Sequence, residues 1–485
     1  MTSPAPIQLT NTLSGKKELL KTKTPGEVVL YGCGPTVYGL THVGNARTAL
    51  MFDLVNRVLK LAGHKTTFMR NITDVDDKII KVASDENRPW SEVTEQFTKA
   101  YKNELIALHT LPLEIEPKAT EHIDEMIQMI AGLIQKDLAY SAETPFGTDV
   151  YFAVRKFDGY GKLSKRKIDE LETGARIEPG EAKEDPNDFA LWKAAKPGEP
   201  SWSSPWGEGR PGWHIECSAM IHKYYPKGID IHLGGIDLLF PHHENEIAQS
   251  EGHTGCQLAT YWVHGGLLVF GKEKMSKSLG NIFSTQKFIE LYGAETLRLM
   301  CLQHHYRSPM DFSAESVHRS EALLEKLYTA KALALASKNN AAVTQAELPS
   351  ELAKLNQEMQ TALFDDFNSA KALGFFLKAL RICHRENTVQ LWAALSSAFD
   401  FIIKTFGFLI EEPEAALTEM KKRKLSRLGL SEERSMQIQA RIDERELARK
   451  NKDFALSDKL RAEIEADGIL VMDGPDGSAW TLRDE

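Results

Sequence analysis

Val28-Val29-Leu30-Tyr31 runs into Gly32-Cys33-Gly34-Pro35-Thr36, and Thr41-His42-Val43-Gly44-Asn45 follows a few residues later. The first four residues read as a strand, and the glycine- and proline-bearing segment ends regular pairing. Ala46, Leu50, Leu54, Val58 and Leu61 then recur at three- to four-residue spacing, which predicts a helix from about Asn45 to Leu61. Gly63 is its natural stop. Thr66-Thr67-Phe68-Met69 reads as the next strand. Strand, helix and strand within about 40 residues make one βαβ unit, and that order implies a parallel sheet.

The same pattern resumes far downstream at Ile229-Asp230-Ile231-His232, followed by the glycine turn Gly234-Gly235. A last strand is expected at Leu267-Leu268-Val269-Phe270, ahead of a polar, basic loop at 271–281. Between the two α/β stretches, residues 96–140 look helical. Pro179, Pro186, Pro197, Pro200, Pro205 and Pro211 break up residues 155–212, a loop-rich insertion suited to a functional surface rather than a core. From about 318 the texture changes to amphipathic or alanine-rich helices at 320–337, 350–364, 368–383 and 390–410. Lys421-Lys422-Arg423-Lys424 with Arg427 reads as a basic linker. The tail closes on the turn signals Asp473-Gly474 and Asp476-Gly477 before Trp480, a hairpin-like end.

Composition bounds the function class. At roughly 100–200 residues per domain, 485 residues make about three domains. The 42% hydrophobic and 26% charged fractions exclude a collagen, a disordered chain and a small disulfide scaffold. No apolar run approaches the roughly 18 residues of a membrane span. Met1-Thr2-Ser3-Pro4-Ala5-Pro6 lacks the features of a signal peptide, so a cytoplasmic protein is expected. The net charge of −9 argues against a uniformly basic coat but leaves room for a local nucleic-acid surface. Cys33, Cys217, Cys256, Cys301 and Cys383 are too scattered for a disulfide framework. The last three are expected to be buried apolar thiols.

Several segments carry chemistry. Thr41-His42-Val43-Gly44-Asn45 lies between a strand and a helix, where a helix start offers unpaired N–H groups to phosphate. Lys274-Met275-Ser276-Lys277-Ser278 puts two lysines and two hydroxyls in one loop, suited to charge leaving on a pyrophosphate. Alone, the first reads more readily as a structural turn and the second as a solvated basic loop. His42 is able to donate to phosphate oxygens. His42-Val43-Gly44-Asn45 after the first strand and Lys274 to Ser278 after the last form a pair that resembles the two signatures of class I aminoacyl-tRNA synthetases. Tyr31 to Tyr38, Arg70-Asn71-Ile72-Thr73-Asp74-Val75-Asp76-Asp77-Lys78, Pro211 to Met220 and Phe240-Pro241-His242-His243-Glu244-Asn245-Glu246 narrow the match. In that order and spacing the chain resembles the cysteinyl-tRNA synthetase family from about residue 7 to its end.

The metal question starts from the residues. His242 and Glu246 are four apart, which on a helix places both on one face. Two thiolates, an imidazole and a carboxylate would suit zinc, although by sequence distance alone buried free thiols and a surface His–Glu pair are the readier reading. The resemblance implies that Cys33, Cys217, His242 and Glu246 are zinc ligands. On a regular helix His243 would point about 100° away from His242, so it is not expected to be a ligand. The resemblance further implies that Gly34, Thr73 and Trp213 line the cysteine pocket. His42, Gly44, Gly234, Asp237 and Lys277 would bind ATP, and His42, Asn45, Lys274 and Lys277 would carry catalysis. The family's first signature commonly ends in histidine. Here Asn45 takes that place, with N–H donors but no charge.

The implied fold is α/β. A Rossmann-type parallel-sheet catalytic domain (1–317, with its insertion at about 96–212) is followed by an α-helical anticodon-stem bundle (318–410). A small C-terminal anticodon-binding domain (411–485) completes it, with Arg449, Lys452 and Trp480 as candidate RNA contacts. The implied activity joins L-cysteine to the 3′-terminal adenosine of tRNA(Cys) through cysteinyl-adenylate, using ATP with Mg2+ and one Zn2+ per chain in a monomer. Two other readings remain open at this stage: a ligase joining cysteine to a small amine, and a non-catalytic zinc-containing RNA-binding protein.

Overall fold

In the computed structural model, residues 4–171, 182–270, 273–274, 283–338, 348–474 and 477–482 are described. The chain forms two compact units, Met1–Phe288 with Ala294–Ile410, and Ile289–Gly293 with Glu411–Glu485.

The first unit is built on a parallel sheet in the order Ala259–Gly265, Ile229–Gly235, Glu27–Gly32, Lys65–Arg70. Every residue of Ile229–Gly235 is buried, as a parallel strand covered on both faces should be. The expected helix is present as Val43–Leu61, and its inner face buries Ala46, Leu50, Leu54 and Val58 against the sheet. One edge of the sheet differs from the sequence reading. Ala259–Gly265 supplies the fourth strand; its polar Thr260 and His264 interrupt the apolar run that marks a buried strand. Leu268–Phe270 instead pairs with Glu273–Lys274 and Met310–Asp311 in a separate three-stranded sheet.

The insertion is also more ordered than its prolines suggest. Helices Trp90–Ala107 and Ile123–Gln135 are separated by a stretch containing Pro112 and Pro117, so 96–140 is not one helical block. Phe189–Ala194, Trp202–Ser204 and Gly207–Pro211 then join Ala139–Thr144 and Gly147–Phe152 in a five-stranded antiparallel sheet. Short strands separated by turns carry glycine and proline at their ends, which is why this part reads as loop. Its core joins Phe152, Phe189 and Trp192 to Met126, Ile130 and Ile215.

Helices Ala314–Lys338, Leu355–Phe364, Ser369–Glu386 and Val389–Phe406 belong to the same unit. Their tie to the Val43–Leu61 helix is polar. Arg298, fully buried, donates to the Phe406 carbonyl, to the Leu108 carbonyl at 2.6 Å and to the Asp53 carboxylate. Burial would raise the Asp53 carboxyl, yet Arg298, together with Arg57, whose Nε donates to Asp53 at 2.7 Å, holds it below its usual range.

In the second unit, helices Pro413–Arg427, Glu432–Lys450 and Phe454–Ala466 precede a hairpin of Ile469–Gly474 and Gly477–Leu482. Ile438, Ile442, Ile464, Ile469 and Val471 form its core. The basic run Lys421–Lys424 is part of a helix, not a linker.

Candidate metal centre and active site

The chain leaves the Glu27–Gly32 strand for Lys65–Arg70 on one side and returns to Ile229–Gly235 on the other. Strands that diverge in this way leave a crevice at their carboxyl ends. Cys33 follows the first strand and Gly234-Gly235 end the second, with the Cys33 N–H donating to the Leu233 carbonyl at 3.3 Å. The third face is Trp213–Tyr224, a helix carrying Cys217, and the fourth is Glu244–Thr254, carrying Glu246.

Four buried donor atoms from Cys33, Cys217, His242 and Glu246 lie within 4.8 Å of one another. Cys217 Sγ is 3.6 Å from His242 Nε2, Cys33 Sγ is 3.4 Å from Glu246 Oε1, and His242 Nε2 is 3.1 Å from the same oxygen. Zinc–sulfur bonds of about 2.3 Å and zinc–nitrogen bonds of about 2.0 Å in a tetrahedron give ligand–ligand edges of roughly 3.5 Å. The donor set and its spacing therefore fit zinc. Cys33, His232, His243 and Glu246 make a second overlapping set. His243 reaches the cleft because His242 and His243 sit in the irregular turn Leu239–His243, with the regular helix beginning at Glu244. The 100° separation expected on a helix does not apply there, and the two rings lie 5.7 Å apart.

The electrostatics suit a cation. Burial pushes the Cys33 thiol well up, and hydrogen bonding to Cys217 adds to the effect. That same contact, aided by His242, brings Cys217 down to about 6. Burial would lower His242, yet the Glu246 carboxylate and Cys217 lift it to about 10. Burial opposes ionisation of Glu246 too, but His232 and His242 keep its carboxyl well below the usual range.

Around these atoms stands a polar lining. The Tyr31 hydroxyl and the Gly34 N–H both donate to Asn71 Oδ1, at 2.9 and 2.8 Å. Asn71 Nδ2 donates to Thr73 Oγ1, which donates to Glu216 Oε2 at 2.7 Å. Glu216 is buried, which raises its carboxyl well above the usual range. A Cβ at Gly34 would stand 1.7 Å from the Asn71 carbonyl oxygen, so no side chain fits there. The Trp213 indole stacks on His242, 4.1 Å between centroids and 20° between planes, and is 37% exposed rather than a core aromatic.

At the first signature, His42 caps the Val43–Leu61 helix. Its Nδ1 accepts from the Gly44 N–H at 3.1 Å, while Asn45 Oδ1 accepts from the His42 N–H at 3.1 Å. Asn45 thus closes a capping box, a role for which asparagine needs no charge. The feet of the two signature segments pair: the Val43 N–H donates to the Phe283 carbonyl at 3.1 Å, and the Thr285 N–H to the Thr41 carbonyl at 2.9 Å. Glu104 braces this junction. Its carboxylate accepts from Thr41 Oγ1, and Thr285 Oγ1 lies 3.0 Å from the same hydroxyl. Lys274 pairs with Val269 at the start of the loop, whereas Lys277 lies outside the described residues. Gly234 closes the Ile229–Gly235 strand, and Asp237 is exposed just beyond it.

Burial pushes the Glu104 carboxyl up to about 7, the Thr41 hydrogen bond only partly opposing it. A raised folded-state value means the protonated form favours the native state. That contribution is complete below the ordinary glutamate value of 4.5 and is lost as pH rises through about 7. Glu104→Gln removes the ionisation, so its melting temperature should rise relative to wild type between about pH 5 and pH 8. Scanning calorimetry across that range tests this. A difference independent of pH would refute the assignment.

The sequence reading missed His232, His243, His264, Glu216 and Glu104. One signal was present: histidines 214, 222, 232, 242, 243, 253 and 264 are seven of the chain's 15, crowded into one stretch. Cys256 is exposed and Cys301 partly so, leaving only Cys383 of the remaining cysteines buried as expected. Cys256 follows the helix-ending turn at Gly255, which turns it outward.

Residues 19–322 match the family model described as the class I (C) tRNA synthetase catalytic domain. A cysteine–tRNA ligase of Geobacter metallireducens is 46% identical, over 98% of this chain and 100% of its own length. One from Nitratidesulfovibrio vulgaris strain Hildenborough is also 46% identical with the same coverage. Among solved structures, a Mycobacterium tuberculosis methionyl-tRNA synthetase in complex with methionyl-adenylate superposes with a TM-score of 0.58 at 14% identity. It covers 84% of this chain and 95% of that one, a likeness of fold.

Proposed function

The chain belongs to the cysteine–tRNA ligases, ligases that form an aminoacyl-tRNA bond, and from that premise we propose how its residues divide the work. Cys33, Cys217, His242 and Glu246 would hold a zinc ion. Zinc binds a thiolate far better than an alcohol and lowers the thiol pKa, and so supplies a selection between cysteine and serine that shape alone, worth about 1–3 kcal/mol, does not. The observation that carries this reading is the tetrad of buried donors with tetrahedral edge lengths at the switch-point crevice.

The remaining roles follow from position. Trp213 covers His242, and Thr73, fixed by Asn71 and Glu216, faces the amino-acid side with Gly34. His42 and Gly44 open the helix whose unpaired N–H groups would receive the ATP phosphates, Mg2+ accompanying the nucleotide. Asn45 keeps His42 in place through the capping box. Gly234 and Asp237 would hold the adenosine, the carboxylate taking a ribose hydroxyl. Lys274 and Lys277 would stabilise the departing pyrophosphate as cysteinyl-adenylate forms. The cysteinyl group would then pass to the 3′-terminal adenosine of tRNA(Cys). Helices 318–410 are assigned to the anticodon stem and residues 411–485 to the anticodon, with Arg449, Lys452 and Trp480 as contacts. Among the described residues no helix is long and apolar enough to cross a membrane; we read the enzyme as a cytoplasmic monomer.

Cysteine-dependent ATP–pyrophosphate exchange tests the whole reading, with serine as comparison, zinc quantified on the same sample and total tRNA charged alongside. Exchange with cysteine alone, one zinc per chain and charged tRNA are expected. Exchange without charging would point to an amine acceptor, and a zinc-loaded protein without exchange would overturn the reading.

A further inference from the structure

Glu104 is an acid where an apolar side chain belongs. It lies on the buried face of the Trp90–Ala107 helix and is 6% exposed. Val93, Tyr101 and Leu105 of the same helix pack into an apolar cluster with Val37, Ala49 and Ile72. Among the described residues the Glu104 carboxylate has one hydrogen-bond partner, Thr41 Oγ1, and its Oε1 has none. Burying a carboxyl with so little compensation disfavours the fold, so packing does not account for this residue.

The carboxyl stands where the two signature segments meet. Thr41 immediately precedes His42, and its Oγ1 lies 3.0 Å from Thr285 Oγ1. Thr285 is fully buried at the start of the Thr285–Tyr292 helix. Two backbone hydrogen bonds already join these segments, Thr285 N–H to the Thr41 carbonyl and Val43 N–H to the Phe283 carbonyl. By themselves they make a narrow bridge. The row Glu104, Thr41, Thr285 ties that bridge to a third element, the Trp90–Ala107 helix, which the apolar cluster packs against Ala49 of Val43–Leu61.

We infer that Glu104 is a positioning residue for adenylate formation: through Thr41 and Thr285 it holds the start of the His42 helix in register with the residues that follow the second signature. The inference rests on the activity proposed above. Glu104 acts through its two threonine partners and on no reacting atom itself. Stability and activity are then expected to move apart when it is replaced, because the acid that helps to align the site also weakens the fold.

The test compares full-length wild type with Glu104→Met, Glu104→Gln and Thr285→Val. Methionine keeps the length of the side chain and loses the acceptor. At about pH 8 Glu104→Met should melt no lower than wild type, since an apolar side chain replaces a buried acid. Its kcat for cysteine-dependent pyrophosphate exchange should nevertheless fall about 10- to 100-fold, the cost of a positioned group displaced by about 1 Å. KM for cysteine, zinc content and transfer to tRNA from supplied cysteinyl-adenylate should stay at wild-type values. Glu104→Gln keeps an acceptor for Thr41 and should restore most of the exchange. Thr285→Val keeps the shape and loses the hydroxyl, so it should slow exchange in the same way. Combined with Glu104→Met it should cost little more than either alone, because both break one row. Exchange at the wild-type rate in Glu104→Met and Thr285→Val overturns the inference, as does an equal fall in exchange and transfer, or Glu104→Gln as slow as Glu104→Met. If Glu104→Met does not fold, Thr285→Val decides, with Thr285→Ser as its rescue. Wild type without exchange overturns the proposed activity and this inference with it.

Discussion

Cys217→Ser is expected to lose its zinc and its cysteine-dependent pyrophosphate exchange together. Serine matches the buried volume of cysteine closely, so the helix Trp213–Tyr224 and the packing of Cys217 with Met220, Ile221 and Trp262 should survive. What disappears is a sulfur donor already poised to ionise, with its pKa at about 6. Groups behind a ligand change metal affinity about 10- to 100-fold, and a ligand itself should cost more. Zinc should therefore fall from one per chain to well below that after dialysis, and exchange should drop by at least about 100-fold. Cys256→Ser, on an exposed cysteine outside the cluster, is the control and should change neither. Retained zinc with undiminished exchange in Cys217→Ser would remove this residue from the metal centre.

The expected loss depends on donors from three segments, with Cys33 far along the chain from the other two, and their legibility was uneven. The Glu27–Gly32 strand, the Val43–Leu61 helix and the Lys65–Arg70 strand were readable because apolar periodicity and glycine stops act locally. The carboxyl end of the Ile229–Gly235 strand, which reads as a glycine turn, and the antiparallel sheet of the insertion were not. There Trp192 pairs with Val150, far back along the chain, and local composition shows only the turns. At the site, residue types only allowed Cys33, Cys217, His242 and Glu246 as donors; the family resemblance singled them out, and nothing local says that they converge. The histidines behind them were harder still. His264 sits in a strand whose polar letters hide it, and His243 reaches the cleft only because the chain turns irregularly before Glu244. Glu104 belongs to a helix of the insertion and braces Thr41 across 63 positions, a contact that tertiary packing alone creates.

Lys277→Ala is the second change expected to be severe, and its signature should be the opposite of the first: full zinc content with activation nearly lost. The segment that holds Lys277 lies outside the described residues; before it Lys274 pairs with Val269, and after it the Phe283 carbonyl accepts from the Val43 N–H. The chain after it is therefore anchored on the residue that follows His42, at the helix start proposed for the ATP phosphates. Charge develops on the departing pyrophosphate, and a preorganised donor at such a position contributes about 2.7–4 kcal/mol, or about 100- to 1,000-fold in rate. Exchange should fall by that factor with cysteine still protecting the zinc site. Transfer of cysteine to tRNA from supplied cysteinyl-adenylate should continue, since no pyrophosphate leaves in that step. A purely structural role would depress both reactions equally, and exchange at the wild-type rate would show that Lys277 does not meet the phosphates at all.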